Sequence, residues 1–346
     1  MKINLVTHYL DKSVGYGMSR YAYGLFKGLQ AKGVKVKTLS CPYIAPSSLK
    51  SAFDFFIYIP LISLLPSGTK LFHFALQQTG FAIPLLKLLY GKKVVATVHD
   101  INCVLFPSSK SSWILKKAIE WSVKKSDSVI VISSQTKKDI VNVYGVTPDK
   151  ITVVPIGISD KFKPMKKPKS KIFTIGYIGG FAPHKDVQYL IRAYSVFEKN
   201  NSNSRLLLYG KGSQYDDCLN LAKKLGIKNI EFRGFADEKN LVEIYNSFDV
   251  FVFPTQYEGQ GLPLLEAQKC HVPVVVREDA HLPEEVTRYC LKAKSESHMA
   301  ELLQELSQKP QKMSQEHLKH LELFTWEKCT ADTIAVYDKT LKQNKS

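Results

Sequence analysis

Residues 249–270 read DVFVFPTQYEGQGLPLLEAQKC. Behind one aspartate, VFVF is an unbroken apolar run closed by a proline, the pattern of a strand buried on both faces. TQYEGQG then supplies a loop at the strand's carboxyl end, and LPLLEAQKC opens a helix with Pro263 near its first position, where a missing N–H has no partner to lose. A helix start presents unpaired N–H groups and positive dipole, and glycines at 259 and 261 permit close backbone approach, a combination suited to phosphate. Two glutamates flank the junction. Glu258, in the loop, is in reach of a neutral polyol beyond the phosphate, and Glu266, about one turn into the helix, is placed to accept hydrogen bonds from a ribose diol.

The same alternation extends in both directions. Strand-like runs stand at KINLVTH (2–8), VKVKTLS (34–40), KLFHFAL (70–76), KVVATVH (93–99), SVIVIS (128–133) and ITVVPIG (151–157), with helix-compatible stretches between most of them. In MSRYAYGLFKGLQAKG (18–33), Met18, Tyr21, Ala22, Leu25 and Leu29 share a face and Gly33 sits where a C-terminal cap belongs. SDKFKPMKKPKS (159–170) is polar, lysine-rich and twice interrupted by proline, which predicts a linker. Strands resume at IFTIGYIG (172–179), SRLLLYG (204–210), NIEFRG (229–234), DVFVFP (249–254) and VPVVVRE (272–278). Short buried strands separated by helices predict mostly parallel, doubly wound α/β sheets. The restart after the linker predicts two Rossmann-like domains, 1–164 and 165–325, with a last helix in 326–346 packing back on the first. In that helix Trp326, Ile334, Tyr337 and Leu341 fall near one stripe. Ligands of such sheets sit at the strands' carboxyl ends, so two facing domains would define a cleft.

Composition limits the function classes. A chain of 346 residues, 45% hydrophobic and 11% aromatic, suits a globular protein of more than one core. Six cysteines without C-x-x-C spacing suggest neither a zinc site nor a disulfide framework. Together with an N-terminus, MKINLVTHYL, that lacks the apolar core of a signal peptide, they point to a reducing cytoplasm. The net charge of +17 is uneven, since residues 1–163 hold 22 Lys and Arg against 8 Asp and Glu. Such asymmetry suits nucleic acid or an anionic membrane face, and equally a solvated lysine-rich surface. No helix-turn-helix signature, zinc spacing or aromatic-basic motif supports nucleic-acid binding. SAFDFFIYIPLISLLP (51–66), interrupted by Asp54 and Pro60, is too short to span a bilayer. It suits a core helix of the first domain or an interfacial helix supported by lysines. A dinucleotide reading of GYG (15–17) fails because Arg20 stands where the third glycine belongs, and TLSCPY (38–43) offers no acid for a ribose.

With strand, glycines and proline in place, YEGQGLPLLEA (257–267) resembles the E-x7-E signature of retaining glycosyltransferases of family 4, group 1, whose GT-B fold is two facing Rossmann-like domains. Further landmarks are TVHD (97–100), SSQTKKDI (133–140), VVPIGI (153–158), IGGFAPHKDVQYLIRAY (178–194) and FTWEKCTADTIAVYDKTL (324–341), so the resemblance covers most of the chain. It implies a hexosyltransferase with a nucleotide-diphosphate sugar donor and a glycan or lipid-linked hydroxyl acceptor, acting in polysaccharide or glycoconjugate assembly. It also implies retention by front-side displacement, no metal or cofactor, and a cytoplasmic location, peripheral on the inner face of the membrane.

By the same resemblance, Glu258 contacts donor sugar hydroxyls, Glu266 the ribose, and the amides of Gly261 and Leu262 the diphosphate. Lys185 matches the phosphate-binding lysine, an electrophilic catalyst. His99 matches the histidine that points at the transferred sugar, and Gly15 and Gly17 the glycine loop against the diphosphate. Two positions depart from the pattern. Gly180 stands where arginine is frequent, which removes a leaving-group cation, and Gln260 stands where phenylalanine is common. The first departure leaves a non-catalytic nucleotide-sugar-binding protein of the same fold as an alternative.

Overall fold

A computed structural model of the chain describes residues 1–8, 10, 18–41, 53–65, 67–106, 112–166 and 170–343. The chain divides into two units, Met1–Gly157 with Phe324–Ser346, and Ile158–Leu323. In the first, β1 (Lys2–Val6), β2 (Lys35–Leu39), β3 (Leu71–Phe74), β4 (Lys93–Val98), β5 (Ser128–Val131) and β6 (Ile151–Val153) form one sheet in the order β2-β1-β3-β4-β5-β6. All neighbours are parallel. β3 and β5 are buried along their whole length, which requires apolar side chains on both faces. β2 lies at the edge and alternates instead, with Lys35 and Lys37 exposed, and such lysines discourage pairing with a further strand.

The second unit contains β7 (Phe173–Ile178), β8 (Ser204–Tyr209), β9 (Ile230–Gly234), β10 (Val250–Phe253), β11 (Val274–Arg277) and β12 (Leu291–Ala293), ordered β12-β11-β10-β7-β8-β9. It too is parallel throughout. Each expected run contains a strand. β12 was not expected, because LKA is three residues with a lysine in the middle and carries no apolar run. The sheet reverses its order of progress between β7 and β10, so the loops leaving those two strands diverge and open a crevice.

The chain enters the second unit at Ile158, ahead of the expected junction at 164/165. Phe162 packs edge-on against Tyr245, and the Asn246 side chain bonds Lys163 O and Met165 N–H. Those contacts hold 158–165 to the second core.

The helix Trp326–Lys342 packs against the helix Met18–Ala31 in the first unit. Gly24 and Gly28, one turn apart, make this possible. A Cβ at Gly24 would lie 2.3 Å from the Trp326 ring, and one at Gly28 would lie 2.0 Å from Thr330 Oγ1. The buried face of the last helix is Cys329, Thr330, Thr333, Val336, Tyr337 and Thr340. Of the expected stripe only Tyr337 is fully buried, while Trp326, Ile334 and Leu341 are half-buried. Threonines serve as interior residues here because the hydroxyls of Thr330, Thr333 and Thr340 donate to carbonyls one turn back, at 2.7 to 2.8 Å.

Overpacking this contact is expected to destabilise the first unit. Gly24→Ala should lower stability by about 1–3 kcal/mol, measured as a fall in the urea midpoint. Gly68→Ala, where nothing lies within 4 Å, should leave the midpoint within about 0.5 kcal/mol of the parent.

Candidate active site

The loop after β7 begins with Gly179 and Gly180 and passes through the single turn Pro183–Lys185. Tyr177 donates its hydroxyl proton to Gly180 O at 2.6 Å, which pins the start of that loop. Asp186 follows in the left-handed region, at φ 43°, where short polar side chains are better tolerated than branched ones. Its carboxylate accepts from Arg277 Nη1 at 2.5 Å and from Gln256 Nε2 at 3.3 Å. Arg277 ends β11, and its guanidinium lies over the Tyr189 ring at 4.5 Å.

The loop after β10 is tied to the same turn. Gln256 N–H and Thr255 Oγ1 both donate to His184 O, at 2.8 and 3.1 Å. Between the two loops Lys185 Nζ donates to Glu258 Oε1, and the ammonium stands 5.6 Å from the centre of the Phe253 ring. Both side chains are 18% exposed, so their attraction is screened less than that of a surface pair. Burial, the neighbouring Lys185 charge next, holds the His184 imidazole below its usual pKa. Burial and then the Glu258 charge push the Tyr177 phenol well above its own. Both groups are therefore neutral at pH 7.

Gly261 closes this loop as N-cap of the helix Leu262–Lys269, at φ +83°. That conformation favours glycine. The first N–H groups of any helix lack intrahelical acceptors four residues back; here Pro263 has no N–H and Leu264 N–H turns back to Gly261 O at 3.0 Å, so the helix start offers an anion the Leu262 amide. Glu266 is buried within the helix, and its Oε2 accepts from Tyr245 at 2.8 Å. A Cβ at Gly180 would meet only Lys211 O, at 3.8 Å. A side chain fits there.

In the first unit, His99 follows β4 and is 4% exposed. Its Nε2 lies 3.0 Å from Ala75 O, its backbone N–H donates to Gln77 Oε1 at 3.2 Å, and its ring meets Tyr21 edge-on at 4.8 Å. A carbonyl opposite Nε2 requires the proton on that nitrogen and leaves a lone pair on Nδ1. Burial lowers the His99 pKa to about 4. Beside it runs a buried polar chain from Tyr337 OH to His73 Nδ1 (2.6 Å), from His73 Nε2 to Thr97 Oγ1 (2.7 Å), and from Thr97 to Tyr21 OH (2.9 Å). Burial, then the nearby His99, lowers the His73 pKa to about 3.

Residues 16–162 match the Glycosyltransferase Family 4 model, and residues 159–320 match Glycosyl transferases group 1. The chain belongs to the family-4, group 1 glycosyltransferases. O-antigen chain mannosyltransferase B of Escherichia coli is 26% identical to this glycosyltransferase over 268 residues, 71% of this chain and 70% of that protein. Other curated relatives match over about half of their own length. Sucrose-phosphate synthase of Thermosynechococcus elongatus superposes with a TM-score of 0.82 at 18% identity, covering 99% of this chain and 100% of that one. Anabaena HepE, solved with UDP and glucose, gives 0.74 at 15% identity over 98% and 99% of the two chains. The glycosyltransferase has the GT-B fold of two Rossmann-like α/β domains.

Of the site residues expected in this glycosyltransferase, Lys185 and Glu258 are in direct contact, and Gly261, Leu262 and Glu266 follow in the adjoining helix. His99 lies in the other unit, and Gly15 and Gly17 fall outside the described residues. Asp186, Arg277 and Tyr245 went unanticipated. Arg277 had a signal, a cation ending the apolar run VVV. His73 had one as well, an imidazole inside KLFHFAL.

Two buried histidines of the first unit, His73 and His99, give the glycosyltransferase a predictable acid sensitivity. Their folded pKa values are depressed, so their contribution is fully present above about pH 6.5 and is lost as pH falls toward 4 for His99 and 3 for His73. In that window the unfolded chain binds protons that the folded one refuses. For His99 the loss should reach roughly 3 kcal/mol near pH 4. Urea midpoints measured from pH 7 to 4.5 should fall, and His99→Asn should flatten the dependence.

Proposed function

We propose that this chain is a retaining, metal-independent hexosyltransferase that moves a sugar from a nucleoside-diphosphate donor to a hydroxyl of a glycan or lipid-linked acceptor. The contact between Lys185 and Glu258, in the loop that Gly261 closes, carries the reading. Donor binding exchanges partners within that pair. The diphosphate takes Lys185 and the amides of Gly261 and Leu262, the sugar hydroxyls take Glu258, and the ribose takes Glu266, which Tyr245 orients. His99, neutral through burial, offers its Nδ1 lone pair to a hydroxyl of the transferred sugar.

As the bond from the anomeric carbon to the phosphate oxygen breaks, charge gathers on the leaving diphosphate. An ammonium about 4 Å away stabilises it by roughly 4 kcal/mol at an effective dielectric near 20. The acceptor oxygen bonds the anomeric carbon from the same face, and its proton passes to the departing phosphate. The mannosyltransferase relative and the UDP-bound neighbour support a nucleotide-sugar donor. Gly180 favours a second reading, nucleotide-sugar binding without transfer.

Calorimetric titration with UDP, GDP and ADP tests the donor site. One nucleotide is expected to bind, Lys185→Ala and Glu266→Ala each to weaken it at least tenfold, and Gly180→Arg to strengthen it. Binding without turnover of any matching nucleotide sugar would move the second reading ahead. If none of the three binds, the donor reading is wrong.

The acceptor side of the reading rests on exposed apolar residues. In the helical segment 53–64, Asp54, Ile59 and Ser63 are buried while Phe53, Ile57, Leu61 and the adjoining Leu65, spaced by four, are 46–59% exposed. The helix Ile83–Tyr90 adds exposed Leu85, Leu88 and Leu89, and Tyr90 OH donates to Leu64 O at 3.0 Å, joining the two. With the cationic excess of residues 1–163, this face suits a membrane surface of anionic lipid. The protein should float with phosphatidylglycerol vesicles at low salt, and Leu61→Glu with Leu88→Glu should leave it in the soluble fraction. A parent protein that stays behind rules the face out.

A further inference from the structure

His8, Cys41 and Asp54 converge at the carboxyl edge of the first sheet. β1 and β2 continue their ladder past their last paired residues, with Thr7 N–H donating to Leu39 O at 3.0 Å and Cys41 N–H to His8 O at 2.8 Å. That extension sets His8 beside Cys41. Asp54 arrives from another element, the π-helical turn Asp54–Tyr58, and its Oδ2 lies 3.0 Å from His8 Nε2. One donor atom from each of the three side chains lies within 4.8 Å of the other two. The side chains of His8 and Asp54 are 13% and 5% exposed, and Cys41 is 4% exposed.

We propose that these three side chains form a site for one divalent transition-metal ion of the zinc class. Zinc takes imidazole nitrogen and carboxylate oxygen at about 2.0–2.2 Å and thiolate sulfur at about 2.3 Å, so ligand atoms on one tetrahedral ion stand roughly 3.3–3.8 Å apart. The cluster already approaches that spacing. A thiolate and a carboxylate carry the two negative charges that balance the ion, which makes the loaded cluster neutral in a buried setting. Hard ions such as calcium and magnesium favour all-oxygen sets, whereas thiolate and imidazole favour zinc, cobalt and copper. Binding exchanges the Cys41 thiol proton, released to solvent, for the metal–sulfur bond. Three protein ligands leave a fourth position for water. The ion ties β1, β2 and the helical segment 53–64 together at one point within the first unit, whereas Lys185 and Glu258 belong to the second.

Chelator-treated full-length protein titrated with Co2+ should bind one equivalent tightly. It should develop visible ligand-field bands together with an intense near-ultraviolet thiolate-to-cobalt band, and Zn2+ should bleach both. Cys41→Ser should abolish the near-ultraviolet band, and His8→Gln and Asp54→Asn should each weaken binding at least tenfold. If Cys41→Ser does not fold, alkylation of the parent protein, mapped by mass spectrometry, reads the same bond, since Zn2+ should protect Cys41 in preference to the other five cysteines. A missing thiolate band, a band that survives Cys41→Ser, or Cys41 alkylation unchanged by Zn2+ overturns the proposal.

Discussion

Because neighbouring strands in both sheets are parallel, no two of them can be joined by a tight hairpin, and each must cross over before the next begins. The carboxyl ends of a sheet therefore lie along one edge. Where the order of progress reverses, two loops leave adjacent strands in opposite directions and cannot fill the space between them. Lys185 and Glu258 meet at such a place. Their loops follow β7 and β10, which are neighbours in the sheet, and the crossing bonds from Gln256 and Thr255 to His184 O hold the loops in register.

Much of this was legible because local pattern and global fold agree. The run VFVF, glycine at 261 and proline at 263 each have a local cause, and together they place a strand, a left-handed cap and a helix start. Lys185 and Glu258 were legible through their flanks. The pairing of Tyr245 with Glu266, or of Arg277 with Asp186, lies in no sequence window, since it depends on which helix or strand lies alongside. The convergence of His8, Cys41 and Asp54 is invisible for the same reason. β12 escaped because three residues carry no period, and the face of the last helix was misjudged because threonine reads as polar until its hydroxyl finds a carbonyl of its own helix.

Polar groups in the first core are present in a form that tolerates burial. His73 and His99 are held neutral, and each imidazole nitrogen that faces a neighbour meets a hydroxyl or a carbonyl. An unpaired polar atom in such a place costs more than a paired one returns. The polar chain from Tyr337 to Tyr21 therefore specifies how the last helix docks, alongside the glycine groove that sets how close it comes.

The last helix also fixes an order of assembly. Domains emerging from the ribosome generally fold from the N-terminus onward, yet the first sheet here must wait for Trp326 and Tyr337, which are made after the whole second unit. Until then the groove at Gly24 and Gly28 stands open and His73 Nδ1 lacks the hydroxyl of Tyr337. The second unit, continuous from Ile158 to Leu323, is the one able to finish first, and a chain cut after Leu323 would keep a complete second core beside an incomplete first one.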